Sequence, residues 1–331
     1  MFNLLLNLNP VHLNPSQKFY WLIGGVATLL TIASTVGWLL LSQLNQQENP
    51  SAKSRKTIDN LITRVNAWWV MLAILGIAFL AEKLGTVILF GVISYFALRE
   101  FITLTPTRKG DHRTLSLAFF LLIPLQYYLI YIEWYALFSI LIPVYAFLFM
   151  PCISVLAQDT EHFLERTAKI QWGVMISIYC ISHAPALLLL VIPNYSGQNL
   201  LLLFYFLLIV QLSDVLQYVF GNLFGKTKVA PIVSPNKTLE GLIGGGLSAV
   251  GVGASLWWLT PFSPLQSAGM SAIIVVMGFL GGLVMSAIKR SLGAKDWSNM
   301  IEGHGGMLDR MDSVSFAAPI FFHLVRYYFT P

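Results

Sequence analysis

Long apolar runs alternate with short polar breaks along the whole chain. The apolar runs fall near residues 19–43, 67–81, 85–99, 115–132, 134–156, 170–192, 199–221, 240–260, 268–288 and 313–329. Most approach the roughly 20 residues that an α-helix needs to cross the hydrocarbon core of a bilayer. The pattern predicts an all-α fold: a polytopic transmembrane helical bundle of about ten spans, with short inner loops. Only Glu82-Lys83-Leu84 separates the second run from the third. Together they are too long for one span, so a tight hairpin is expected there. Residues 45–64 are polar and basic and are expected to form a flexible linker. The chain thus divides into a first span with its linker (1–66), a set of membrane helices (67–198) and a membrane region that carries the chemistry (199–331). The first residues, Met1–Ser16, lack the features of a cleaved signal peptide.

Composition sharpens this picture. Hydrophobic residues make up 56% of the 331 positions and charged residues only 11%. The mean hydropathy is +0.70. A soluble globular protein carries about 25% charge, so there is too little polar surface here to cover a water-soluble particle. Disorder and a small disulfide scaffold are excluded as well. The two cysteines, Cys152 and Cys180, both lie in apolar runs and read as inert core thiols. No tract reads as a nucleic-acid patch.

Charge gives the orientation. With ten alternating spans and both termini outside, seventeen of the 20 lysines and arginines fall in inner loops. Only Lys18, Lys83 and Arg326 fall outside. Such asymmetry is the signature of cytoplasmic loops. Trp68, Trp69, Trp134, Trp257 and Trp258 fall near predicted helix ends, as an aromatic belt requires.

The chemistry collects in the last third. Asp214 lies in an apolar helix, about two turns from its inner end. A carboxylate there is costly unless paired, protonated or metal-bound. Gly221-Asn-Leu-Phe-Gly225-Lys226-Thr227 is one residue short of a P-loop and follows a membrane helix, so it reads as a basic turn. In Ser234-Pro235-Asn236-Lys237-Thr238, Ser-Pro before an apolar run predicts a helix start with Ser234 at the N-cap. Its free N–H groups beside Lys237 would seat a phosphate. The densest segment runs from Ser286 to Asp312. Ser286, Lys289 and Arg290 are expected to share one helix face. Asp309 and Asp312, three apart at the start of the last helix, are expected to project together as a clamp for Mg²⁺. Gly303, Gly305 and Gly306 surround His304 and allow close backbone approach to a ligand. The residues point to a cytosolic-face site for a phosphate-rich ligand, open to a lipid head group from the side. Chemistry of this kind works by positioning and charge neutralisation.

The run Ser286, Lys289-Arg290, Lys295-Asp296, His304-Gly305-Gly306, Asp309-Arg310 and Asp312 resembles the signature of the phosphatidate cytidylyltransferases, or CDP-diacylglycerol synthases. Asp214 with Tyr218, Phe220, Gly221 and Gly225-Lys226 is similar to the acidic helix end of that family. Ser234-Pro235, Lys237-Thr238 and Glu240-Gly241 are similar to its Ser-Pro block. The likeness covers residues 199–329; the first 190 match only in being membrane spans. Two positions depart from it: Glu302 stands where many members have Pro, and Gly282 where many have an Asp of the metal centre. The second departure tells against a monovalent cation beside Mg²⁺ and is what a divergent paralogue would show.

The resemblance implies that CTP and phosphatidate give CDP-diacylglycerol and pyrophosphate. It implies Mg²⁺ on Asp309 and Asp312, with Asp214 in or near the metal shell. Lys289, Arg290, Lys295 and Arg310 would neutralise phosphate charge. Ser234, Lys237 and Thr238 would cradle a phosphate, and Ser286 and Asp296 belong to the same substrate-binding set. His304 would contact the nucleotide or donate to the leaving pyrophosphate. The implied partners are CTP, phosphatidate or a related anionic lipid, and the membrane, which would be the bacterial inner membrane with the site on its cytoplasmic side. A homodimer is admitted. His183 is expected to be a packed residue or kink partner, and Arg99 and Glu100 interface charges, with a buried role for Glu100 left open. Two other classes fit the same spans: a CTP-dependent lipid-alcohol kinase, which needs a general base for its hydroxyl acceptor, and a non-enzymatic lipid transporter or scaffold. The Asp-Gly-x-x-Ala-Arg pattern of CDP-alcohol phosphotransferases is missing.

Overall fold

The computed structural model describes residues 14–46, 52–301 and 305–331. Among these, ten helices follow one another: α1 (Pro15–Asn45), α2 (Ala52–Leu80), α3 (Glu82–Leu104), α4 (Lys109–Tyr131), α5 (Tyr135–Val155), α6 (Phe163–Leu189), α7 (Asn199–Phe224), α8 (Leu239–Ser255), α9 (Pro264–Ser291) and α10 (Met307–Phe329). Eight are long and apolar enough to cross a membrane. The other two are α8, with 17 residues, and α10, which carries Asp309, Arg310 and Asp312 in its first turns. The fold is a polytopic all-α bundle, as the hydrophobic pattern predicts. Its one sheet among the described residues is a two-stranded hairpin, β1 (Lys228–Ala230) and β2 (Ser234–Thr238).

Contacts separate the bundle into two ends. Lys18 donates to Gln198 Oε1 at 3.1 Å and to the Trp258 carbonyl at 3.0 Å. Lys83 pairs with Glu133 at 2.5 Å, and Arg326 lies 3.8 Å over the Tyr135 ring. These three cations therefore share one end with the α4–α5, α6–α7 and α8–α9 loops. At the other end Arg166 pairs with Asp111 at 3.1 Å, both side chains buried. The α2–α3 turn is as tight as expected. It is made by Ala81 and Glu82, with Glu82 at φ 52°, and α3 then returns to the opposite end.

Three local expectations change. Of the expected linker, residues 52–64 form the first turns of α2, because an apolar helix already paired with α1 propagates into adjacent polar residues at little cost. The early start moves Trp68 and Trp69 away from a helix end, and the Trp69 indole N–H meets the Ser34 hydroxyl at 3.1 Å. Ser234 is not an N-cap. It pairs with Ala230 in the hairpin, and Thr238 caps α8 by accepting from Gly241 N at 3.1 Å. Pro235 lacks an N–H, which an edge strand tolerates. Cys152 is exposed rather than in the core. His183 is fully buried among Tyr179, Phe138, Phe322 and His323, as a packed residue should be.

The closest helix packing lies between α7 and α8. Lipid offers helices no hydrophobic gain over their own contacts, so association rests on close van der Waals approach through small residues. Gly241 and Gly245 sit against the backbone at Gln217, where any Cβ would overlap it. This seats the β2–α8 junction beside the C-terminal part of α7. Gly251, on the same helix, faces open space. Alanine at Gly251 should therefore leave thermal stability in detergent unchanged or raise it by up to ~1 kcal/mol, the ordinary helix propensity gain. Alanine at Gly245 should lower it by about 1–3 kcal/mol through overpacking. Circular dichroism melts of the two variants check the opposite signs.

Candidate active site

At the end of the bundle away from Lys18, Lys83 and Arg326, α7, β2, α9 and α10 converge. The last turn of α9 supplies Lys289, whose side chain is buried. A cation is favoured there by the helix dipole. Lys289 Nζ donates to Asp309 Oδ1 at 2.6 Å. The other oxygen of Asp309 accepts Gly306 N at 2.8 Å and Trp297 N at 2.9 Å. Asp309 thus satisfies the N-cap N–H at the start of α10 and, through Lys289, ties that helix to the end of α9.

Asp312, one turn further, faces a different set. It lies within electrostatic reach of Asp214 on α7, of Lys237 on β2, and of Lys289 and Arg310. Asp214 also meets the Ser313 hydroxyl. Asp309 and Asp312 therefore do not project together as a clamp. Three residues of helix turn them by different amounts, and the oxygens of Asp309 are already engaged. The carboxylates close enough to act on one another are Asp214 and Asp312.

Lys237 completes the cluster. Its ammonium donates to the Phe279 carbonyl at 3.3 Å and stands 4.7 Å over the Phe279 ring. Burial holds it below the usual lysine range, while Asp214 and Asp312 draw it back up. Its ammonium lies in the space beside Gly282, so a side chain at that position would require the end of the lysine to move aside. Arg310 has a buried Nε with no hydrogen-bond partner.

This donor set suits one hard divalent cation. Two carboxylates close together repel unless cations offset them; Lys237 does so in part, and a divalent ion would do so further. No group of three or more His, Cys, Asp and Glu gathers among the described residues. Two protein carboxylates, completed by water and phosphate oxygens, is how Mg²⁺ is commonly held. A second, monovalent cation does not fit. Gly282 has no side-chain oxygen, its carbonyl accepts the Ser286 hydroxyl at 2.6 Å, and the neighbouring space holds an ammonium.

Several expected residues stand apart from the carboxylates. Arg290 is exposed and donates to the Ala294 carbonyl at 3.0 Å, since the residue after buried Lys289 points about 100° away on the helix. Ser286 is spent on its own helix. Lys295 and Asp296 are exposed in the loop after α9. Ser234 lies in the hairpin, one strand length from the cap at Thr238. His304 lies outside the described residues. Glu100, expected at the interface, is buried and reaches the start of α10. Its only trace in the sequence is an acid near the end of an apolar run. Gln211, whose side chain donates to the Arg310 carbonyl at 3.5 Å, leaves none.

The profile of the Cytidylyltransferase family matches residues 62–328. An uncharacterized protein of Escherichia coli (strain K12), YnbB, is 36% identical over 300 residues, 90% of this chain and 95% of its own length. A phosphatidate cytidylyltransferase of Staphylococcus aureus (strain COL) is 40% identical over 126 residues, 38% of this chain and 48% of its own. One from Aquifex aeolicus (strain VF5) is 37% identical over 139 residues, 42% of this chain and 52% of its own. The chain thus spans about half the length of the relatives named for an activity, and nearly all of YnbB. The chain belongs to the cytidylyltransferase family of nucleotidyltransferases.

Proposed function

We propose that this protein transfers the cytidylyl group of CTP to phosphatidate at the cytoplasmic face of a bacterial inner membrane, with Mg²⁺. The observation that carries this reading is the close pair Asp214 and Asp312, ringed by Lys237, Lys289 and Arg310 at the end of the bundle where the basic loops gather. An oxygen of the phosphatidate phosphate attacks the α-phosphorus of CTP, the bond from that phosphorus to the β-phosphate oxygen breaks, and pyrophosphate leaves. The attacking phosphate is largely dianionic near neutral pH, so no strong base is required. Asp214 and Asp312 would hold Mg²⁺, which when bound neutralises triphosphate charge.

The chain's own cations do the remaining work. Arg310, with its unpartnered Nε, and Lys237, held near the carboxylates, screen phosphate charge. Thr238 keeps the start of α8 in place, so Lys237 is delivered from a fixed strand. Lys289 adds positive potential from a position locked by Asp309. Pre-placed charges of this kind need no reorganisation as the reaction proceeds. The names of the partial relatives support the lipid substrate. The near full-length likeness to YnbB, together with Gly282, supports a divergent paralogue rather than the principal enzyme.

CTP labelled at the α- or γ-phosphate, given to the purified protein with phosphatidate in detergent, tests the reaction. Lipid labelled from the α position is expected. Label from the γ position alone identifies a lipid-alcohol kinase instead, and no nucleotide turnover leaves the transporter or scaffold reading. Chelation should abolish turnover and added Mg²⁺ restore it.

The two aspartates should separate stability from chemistry. Asp312→Asn should cost at least ~100-fold in turnover, with the melting temperature unchanged or raised because burying that charge costs more than Lys237, Lys289 and Arg310 return. Asp309→Asn leaves buried Lys289 without its counter-charge and should cost about 3–5 kcal/mol of stability, read as a lowered melting temperature in the absence of any substrate.

A further inference from the structure

The loop between α9 and α10 carries much of the family signature, yet a residue 200 positions upstream holds its shape. Glu100 sits near the inner end of α3 and is 5% exposed. Its carboxylate accepts Met307 N at 2.8 Å, Leu308 N at 2.8 Å and the Ser298 hydroxyl at 2.6 Å. No ion pair of Glu100 exists among the described residues; its donors are the first free N–H groups of α10 and one side chain of the loop. A carboxylate at a helix N-terminus satisfies orphan donors and meets the positive end of the dipole. Here that carboxylate comes from another helix. A side chain at Gly306 would collide with it.

The adjacent residue repeats the attachment. Phe101 stacks on Trp297, ring centroids 5.3 Å apart and planes 25° apart. Trp297 N donates to Asp309. A continuous set of contacts thus runs from α3 through Trp297, Ser298 and Met307 to Asp309, with Arg310 and Asp312 on the next turn of the same helix.

We infer that Glu100 is a positioning residue for cytidylyl transfer: it clamps the first turn of α10 and the middle of the preceding loop, and so fixes the distance of Asp312 and Arg310 from Asp214. The inference rests on the reaction proposed above. Lys237 approaches from β2 and is not held by this clamp. Loss of Glu100 should therefore act on turnover more than on nucleotide affinity.

Hydrogen exchange and kinetics on the full-length protein in detergent test it together. In Glu100→Gln one acceptor oxygen is replaced by a donor, so the two backbone N–H groups and Ser298 can no longer all be satisfied. Exchange in the segment 305–312 should quicken by about tenfold or more, with α7 unchanged. The kcat should fall by up to about 100-fold, with KM for CTP within about threefold of the parent. Ser298→Ala should give a smaller loss of the same kind. Glu100→Ala combined with Ser298→Ala should be little worse than Glu100→Ala alone, because the contact they share is already lost and only the bond from Met300 N to Ser298 is removed in addition.

Unchanged exchange at 305–312 in Glu100→Gln overturns the clamp. So does faster exchange there with an unaltered kcat, or a kcat loss matched by an equal rise in KM. If Glu100→Gln does not fold, Ser298→Ala decides by the same readings. A parent protein inert toward CTP and phosphatidate would end the proposed reaction instead, and the exchange comparison would still report whether Glu100 holds α10.

Discussion

The ion pair between Lys289 and Asp309 joins the end of one membrane helix to the start of the next, inside the protein. Both side chains leave water to make it, and two charges so placed are tolerable only when each meets the other and the remaining lone pairs find donors. Asp309 meets that condition with Gly306 N and Trp297 N. The cost of any other arrangement fixes how α10 enters the bundle. Everything on the first turns of α10, Arg310 and Asp312 included, inherits its position from this contact together with the hold of Glu100 on Met307 N and Leu308 N.

A second constraint follows from packing in lipid. Without a hydrophobic force between spans, α7 and α8 approach through glycines, and that close approach sets β2 beside the C-terminal part of α7. Lys237 can then reach the carboxylates, and the absence of a side chain at Gly282 leaves room for it. The site is built from two independent placements: α10 against α9, held by charge, and β2 against α7, held by shape. Asp214 and Asp312 come close only because both are satisfied.

The same logic explains how the two halves of the chain depend on each other. The family match begins at residue 62, well before the region 199–329 in which the sequence motifs stand out, and within this earlier part α3 brings Glu100 and Phe101 against the loop that carries the densest motif. A loop of glycines, serines and charged residues has little to order it from within. Its anchors must come from helices already fixed by their own burial, and α3 is one of these, with Ala97, Leu98 and Phe101 deep in the core.

The number of helices, their alternation and the tight α2–α3 turn were legible in the sequence, because crossing a bilayer imposes length and apolarity on each span whatever its neighbours are. The region of the chemistry was legible too, since a cluster of Lys, Arg, Asp and Gly beside apolar runs is costly without a use. The sequence could not assign the aspartates. Asp309 and Asp312 look alike three positions apart, and only packing against Lys289 and Trp297 makes the first a clasp and leaves the second close to Asp214. The misplaced cap at Ser234 has the same origin: Ser-Pro and Thr both start helices, and pairing with Ala230 chose between them. Local pattern decides what a segment is when its solvent is uniform. Which groups meet across 100 or 200 residues is decided by packing, and only the folded structure contains that.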